Sequence, residues 1–329
     1  MPKTLAEMKV GMSDPIAEAV IDTFVRESQI LELLPFDNCV SPQGGSTLSY
    51  GYLQKKVPGQ TAFRALNHEY TPSQAKLEEK NVKLKIFGGS FDLDRVIKQT
   101  EGMYDNMTYQ MKEKIISAIG TFHNAMINGD SSQHEDEFDG LDKFLVGQKT
   151  EYNTGKVIDL STMDALTKNA NVFYEALTKL VNSTKADAIM CNEDMITKIE
   201  TVARILGYKT STEEAFGRQV KTINGKRMID LGNIAKVGHE DSVTEEPIIG
   251  IKTRTISGST TGLTDIYAVH FSVDDGFHGV TLTGSDGISQ YLPDFNAPGA
   301  VKKGEVEMVA CVALKNVKSA GVLRNVKII

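Results

Sequence analysis

The 329-residue chain is 40% hydrophobic and 24% charged, enough apolar material for one sizeable core or for two smaller ones. A formal net charge of -7 argues against a nucleic-acid-binding surface, which needs clustered Lys and Arg to release counterions; contact with DNA should be loose and repulsive on average. The widely spaced Cys39, Cys191 and Cys311, with no C-x-x-C pair, argue against a disulfide framework or a zinc site and fit a reducing cytoplasm best.

The first residues, M-P-K-T-L-A-E-M-K-V-G-M-S-D, hold no apolar core of signal-peptide length, and no apolar run approaches a membrane span. The expectation is a chain neither exported by that route nor embedded. Trp is absent and Met numbers 12, which suits either adaptable packing surfaces or a Met-rich core.

Ser13, Asp14 and Pro15 open a first helix with cap residues and an early Pro; Ile16, Val20, Phe24 and Leu31 mark its apolar side, and it ends before Pro35. After an irregular stretch through Pro42, Gly44 and Gly45, S-T-L-S-Y-G-Y-L-Q-K-K places Leu48, Tyr50 and Tyr52 on one side of a strand. The next alternating strand is expected near Lys80, in K-N-V-K-L-K-I. About two dozen residues lie between, bracketed by Pro58 and Pro72, and a connection that long is usually functional or disordered. Its Phe63, Leu66 and Tyr70 would be exposed on a ribbon standing alone, and a lone two-stranded ribbon is only marginally stable. Either a partner surface covers them or the loop folds back on its own domain.

Beyond a Gly-Gly break, a helix pattern runs from Asp94 to Asn128, with Met103, Met107, Met111, Ile115, Ile119, Phe122 and Met126 as a continuous stripe. Such a helix would be about 50 Å long, beyond the width of a small domain. Polar, acidic N-G-D-S-S-Q-H-E-D-E-F-D-G-L follows, with Gly129 as helix stop and Gly140 as turn residue. Ser161 is expected to cap a second helix carrying Met163, Leu166, Ala170, Phe173, Leu177 and Leu180 in register. A short strand, A-D-A-I-M-C-N, and a helix closed by Gly207 come next, so that helix, strand and helix form a small α/β layer over one sheet.

From about Tyr208 short strands take over. Asn224-Gly225 signals a two-residue hairpin. T-D-I-Y-A-V-H-F-S-V alternates Ile266, Ala268, His270 and Ser272 against Tyr267, Val269, Phe271 and Val273, and E-V-E-M-V-A-C-V-A-L puts Val306, Met308, Ala310, Val312 and Leu314 on one face. These strands are expected to return to the sheet that the long helix crosses.

Catalytic signals are sparse. Gly155-Lys156 and Gly225-Lys226 lack the rest of a phosphate cradle, and G-S-T-T-G at 258–262 has Thr where a nucleophile elbow needs Ser, so it reads as a flexible loop. Asp130, Glu135, Asp136, Glu137 and Asp139 could attract a divalent cation, but as an EF-hand the segment fails, with Glu135 where Gly is needed and Leu141 at the twelfth position; a solvated loop is the plainer reading. None of the six histidines is paired at metal-ligand spacing, and His123, beside Phe122, reads as a satisfied structural residue. No catalytic, cofactor or metal residues are assigned.

The order of segments resembles the major capsid proteins of tailed bacteriophages with the HK97-like fold. The residues that carry it, in this order and spacing, are Asn128-Gly129-Asp130, Phe138-Asp139-Gly140-Leu141 and the ending Lys315 through Leu323. The resemblance implies an α+β fold: an N-terminal arm at 1–45, an extended β-hairpin loop with base strands at 46–92, a long spine helix with a peripheral β-sheet at 93–160, an α/β axial domain within about 161–263, and strands at 264–329 returning to the axial and peripheral domains. It also implies self-assembly through pentamers and hexamers into an icosahedral shell around double-stranded DNA. Scaffolding, portal and decoration proteins would be possible partners, DNA would be enclosed without sequence-specific binding, and no membrane would be involved. The location would be the virion capsid, assembled in the host bacterial cytoplasm. The arm begins almost at Met1, so a separate scaffolding protein or none is implied. Some relatives crosslink a loop Lys to a neighbour's Asn; Lys55, Lys56 and Lys76 are available here, but no motif marks a crosslink. Phe63, Arg64, Leu66, Tyr70, Phe24 and Leu31 are the expected inter-subunit contacts. Two alternatives stand beside this: an encapsulin-like nanocompartment enclosing an enzyme cargo, and a metal-dependent enzyme using the acidic loop 130–139.

Overall fold

The computed structural model describes residues 28–40, 48–57, 59–100, 106–208, 210–215, 218–237, 242–256, 259–283 and 288–329. Helix Asn106–Asn128 buries Met111, Ile115, Ile119, Phe122 and Met126 along one stripe, while Met107 is half-covered and Met103 lies outside the described residues. Its 23 residues span about 35 Å. A shorter helix, Arg95–Thr100, precedes it, and residues 101–105 between the two are outside the described set. Asp94 is the last residue of a strand, and its carboxylate accepts from the Val96 amide at 2.8 Å to start the short helix.

The long helix packs on a five-stranded sheet built around strand Val301–Leu314. One edge of that strand pairs antiparallel with Lys85–Asp94; the other takes Phe277–Leu282 and Ile288–Tyr291, and Phe36–Val40 joins Phe277–Leu282 in parallel. The alternation seen in the sequence holds: Val306, Met308, Ala310, Val312 and Leu314 are all buried. Gly88-Gly89, expected to break the chain, instead lies inside strand Lys85–Asp94. The Val306 carbonyl occupies the place a Gly88 Cβ would take, so the glycine is there for a close backbone approach and not for a turn.

A second sheet of nine strands runs in the order Glu151–Tyr152, Ala320–Lys327, Ser259–Val269, Ala188–Met190, Lys226–Ile229, Arg218–Ile223, Ser211–Ala215, with Lys252–Thr255 beside Ser259–Val269 and Ile158–Asp159 beside Ala320–Lys327. Strand Ser259–Val269 therefore enters this sheet, and not the one under the long helix as its alternation suggested, while Val301–Leu314 does join the latter. The segment expected to be a flexible loop at 258–262 opens the same strand from Ser259, with Gly262 at φ 76° where the Ile329 carbonyl leaves no room for a side chain. Helices Met163–Thr184 and Glu193–Ile205 cover the sheet with Leu166, Ala170, Phe173, Leu177, Leu180, Met195 and Ile199. The first helix is capped by Thr162, whose hydroxyl accepts from the Ala165 amide at 3.2 Å; Ser161 is held by Asp159 and is not the cap, and Met163 is exposed. Asn192 caps the second, and Asn224 and Gly225, both at positive φ, close the hairpin between Arg218–Ile223 and Lys226–Ile229.

The central strands of this sheet divide two cores. Ile266 and Ala268 join the cluster under the two helices, whereas Tyr267 and Val269, pointing the other way, join the cluster under the long helix. Among the described residues no helix is long and apolar enough to cross a membrane.

Candidate assembly surface

Strands Ser49–Val57 and Lys76–Lys83 pair antiparallel as a two-stranded ribbon separate from both sheets, so the second strand begins four residues earlier than expected. The described contacts fasten the ribbon near its base. Tyr50 and Tyr52 are buried with their rings 5.9 Å apart, the Tyr50 hydroxyl donates to Asp37 at 3.0 Å, its ring stands edge-on to His278, and the Gln54 amide donates to the Leu314 carbonyl at 3.3 Å. On the opposite face, Leu53 and Leu77, brought together by the pairing of Leu53 with Glu79 and Lys55 with Leu77, are 65% and 62% exposed.

Beyond the paired strands, every residue from Gly59 to Ala75 is exposed. Phe63 is 107%, Leu66 86% and Tyr70 61% accessible, so among the described residues nothing outside the loop buries these side chains. Arg64 is different: its guanidinium donates to the His68 carbonyl at 3.1 Å and lies 5.5 Å from the Tyr70 ring centre. Leu31 must be withdrawn from the set of expected contacts. It sits on helix Gln29–Leu33 and is fully buried against this chain's own core, leaving no surface to offer a neighbour. Phe24 lies outside the described residues.

The acidic turn after the long helix is occupied by protein groups. Lys143 reaches Asp130 at 2.6 Å and Asp139 at 2.8 Å, and the backbone amides of Ser132 and Ser131 donate to the same two carboxylates. The Lys143 and Ser132 bonds hold the Asp130 carboxyl well below the usual range; partial burial would raise Asp139, but Lys143 and Ser131 outweigh it and lower it too. Among the described residues no three His, Cys, Asp or Glu side chains converge as a metal site. Gly129 and Gly140 shape the turn: the Gly140 amide donates to the Gly129 carbonyl at 2.8 Å, and a Cβ on Gly140 would fall 2.6 Å from the Ala125 carbonyl and 2.7 Å from that of Ile127.

Sequence reasoning did not single out the buried ionic group that lies between the two cores. Arg324 donates from Nε to Glu151 at 2.9 Å and from Nη1 to Asp265 at 3.2 Å, and also to Asp142, on the short helix Leu141–Leu145 beyond the acidic turn. Arg254 forms a two-pronged pair with Asp265, and the Tyr267 hydroxyl donates to Asp142 at 2.8 Å. Burial alone would raise the Asp265 carboxyl, but the Arg254 bond and the charges of both arginines hold it down. A charge inside the apolar run V-L-R-N-V was the available signal.

Comparisons with known proteins place this architecture. No family model matches the chain, and no curated protein is detectably similar to it. Among solved structures, an encapsulin of Synechococcus elongatus, in its holo-SrpI complex, superposes with TM-score 0.59 at 14% identity, covering 91% of this chain and 87% of that one. A structure of Mycobacterium phage Bobi gives 0.55 at 9% identity with 90% of each chain covered, and the capsid of an empty GTA particle gives 0.53 at 12% identity, covering 92% of this chain and 90% of that one. The chain has the HK97-like fold, of mixed α+β class.

Proposed function

We propose that this chain is a shell subunit, the major capsid protein of a tailed bacteriophage or prophage, whose copies close into pentamers and hexamers of an icosahedral particle around double-stranded DNA. The observation that carries the proposal is the hairpin: fastened at its base, it holds Phe63, Leu66 and Tyr70 out, exposed among the described residues and placed to meet a neighbouring molecule. Each such side chain is worth roughly 1.5–3 kcal/mol when buried, small for one contact and large when every subunit repeats it. A hairpin that reaches a different surface of the next copy makes a heterologous contact, which closes only as a ring or runs on as a lattice. The net charge of -7 then leaves enclosed DNA free to slide. Assembly would take place in the host cytoplasm, with scaffolding, portal or decoration proteins as further partners.

Replacing residues 59–75 by an Asn-Gly turn tests the proposal. The variant should keep its secondary structure and stay soluble but give no particles by negative-stain microscopy; normal particles would overturn the role given to the hairpin. The encapsulin's shared fold supports a second reading, a nanocompartment around an enzyme cargo. Particles purified from cells separate the two: nuclease-protected DNA marks the capsid, and a stoichiometric co-purifying protein marks the nanocompartment.

A further inference from the structure

We infer that Arg64 is a positioning residue that pre-forms the hairpin tip for docking onto a second copy of this chain, an inference that rests on the shell function proposed above. Residues 59–75 have no helix or strand and are exposed throughout, yet they are tied to one another. At the neck, the Ser73 hydroxyl donates to the Gln60 carbonyl at 2.9 Å and accepts from the Gln60 amide at 3.0 Å. At the apex, the His68 amide closes a turn onto the Ala65 carbonyl at 3.2 Å with Asn67 at φ 63°, a left-handed position that Asn tolerates. Arg64 spans this turn, with Nη1 on the carbonyls of His68 at 3.1 Å and Ala65 at 3.5 Å and the guanidinium plane near the Tyr70 ring.

Ties in open solvent contribute little to folding, because water competes for each of them. Their effect falls on association. An irregular loop that must order itself on docking loses its backbone freedom at that moment, and a loop already braced does not. The bracing also leaves the apolar side chains uncovered: Phe63 and Leu66, on either side of the Arg64–Ala65 pair, are the two most exposed large apolar residues of the described chain. Both carbonyls are reached from the one nitrogen, Nη1, so what lysine lacks is the flat, delocalised guanidinium beside the Tyr70 ring.

Three variants of the full chain test this: Arg64→Ala, Arg64→Lys and Phe63→Ser. Two measurements are made on each, the threshold concentration for particle formation by light scattering and short-time hydrogen–deuterium exchange over residues 60–70 in the unassembled chain. Arg64→Ala should speed exchange in the tip and raise the threshold about tenfold, the change that loss of about 1.4 kcal/mol of pre-organisation produces. Arg64→Lys should fall between Ala and the parent in both. Phe63→Ser should raise the threshold and leave exchange unchanged. If Arg64→Ala raises the threshold with exchange unaltered, Arg64 is a direct contact and the inference is overturned; an unchanged threshold overturns it as well. If Phe63→Ser assembles normally, the docking role of the hairpin is what fails.

Discussion

At the scale of single residues, His123 shows how a polar group becomes structural. It lies on the buried face of the long helix, where the Leu231 carbonyl, 3.1 Å from Nδ1, can only accept and so fixes the proton on that nitrogen. Nε2 then accepts from the Ser28 hydroxyl at 2.7 Å, and Ser28 in turn caps helix Gln29–Leu33 by accepting from the Leu31 amide. One imidazole thus joins the start of the described chain, the long helix and the segment after strand Lys226–Ile229. Burial lowers its pKa to about 4, and burial together with the Lys315 charge does the same for His278 under the hairpin base. Both folded values lie below the unfolded value of 6.5, so above pH 6.5 both states are neutral and the stabilisation is complete. As pH falls towards 4 the unfolded chain takes up protons that the folded chain refuses, and stability drops by about 3 kcal/mol per histidine. Urea unfolding of the unassembled chain should show this slope between pH 6.5 and 4, and His123→Gln should roughly halve it.

At the scale of elements, the N-G-D and F-D-G-L segments form one device. The long helix stops at Asn128, the chain loops through the Lys143-clamped carboxylates, and the Gly140 amide returns to the Gly129 carbonyl so tightly that both positions exclude a side chain. Neither glycine has a positive φ; close approach of backbone, not unusual conformation, requires them. Gly140→Ala should therefore destabilise the chain by about 1–3 kcal/mol, because the carbonyls of Ala125 and Ile127 belong to a packed helix end and can yield little. A shift in the denaturation midpoint with unchanged slope is the expected result. A neutral substitution would show that the helix end relaxes.

At the scale of the whole molecule, two cores share one set of strands, and a buried ionic group sits where they meet. Arg324 bonds Asp142 of the short helix Leu141–Leu145 and Asp265 and Glu151 of the nine-stranded sheet, with Arg254 sharing Asp265. Such a group adds little over an apolar replacement of all its members, but removing one leaves buried charge uncompensated. Arg324→Met should cost about 3–5 kcal/mol in thermal or urea unfolding. The loss should also appear as looser coupling between the layers, with earlier proteolysis around 141–153.

The sequence by itself determined what depends on local period and local backbone chemistry. The buried stripe of helix Asn106–Asn128, the apolar face of strand Val301–Leu314 and the Asn224-Gly225 hairpin all follow from side chains a few residues apart, whereas the exposure of Phe63, Leu66 and Tyr70, left open by the sequence, was a tertiary outcome. Only the tertiary structure decided which sheet each late strand enters, that Gly88-Gly89 continues a strand, that Leu31 faces inward, and that Arg324 finds three carboxylates. Those outcomes depend on partners tens to more than 200 residues away in sequence. Strand pairing, close approach and burial of charge are set by which distant backbone or side chain arrives, and no local pattern records that.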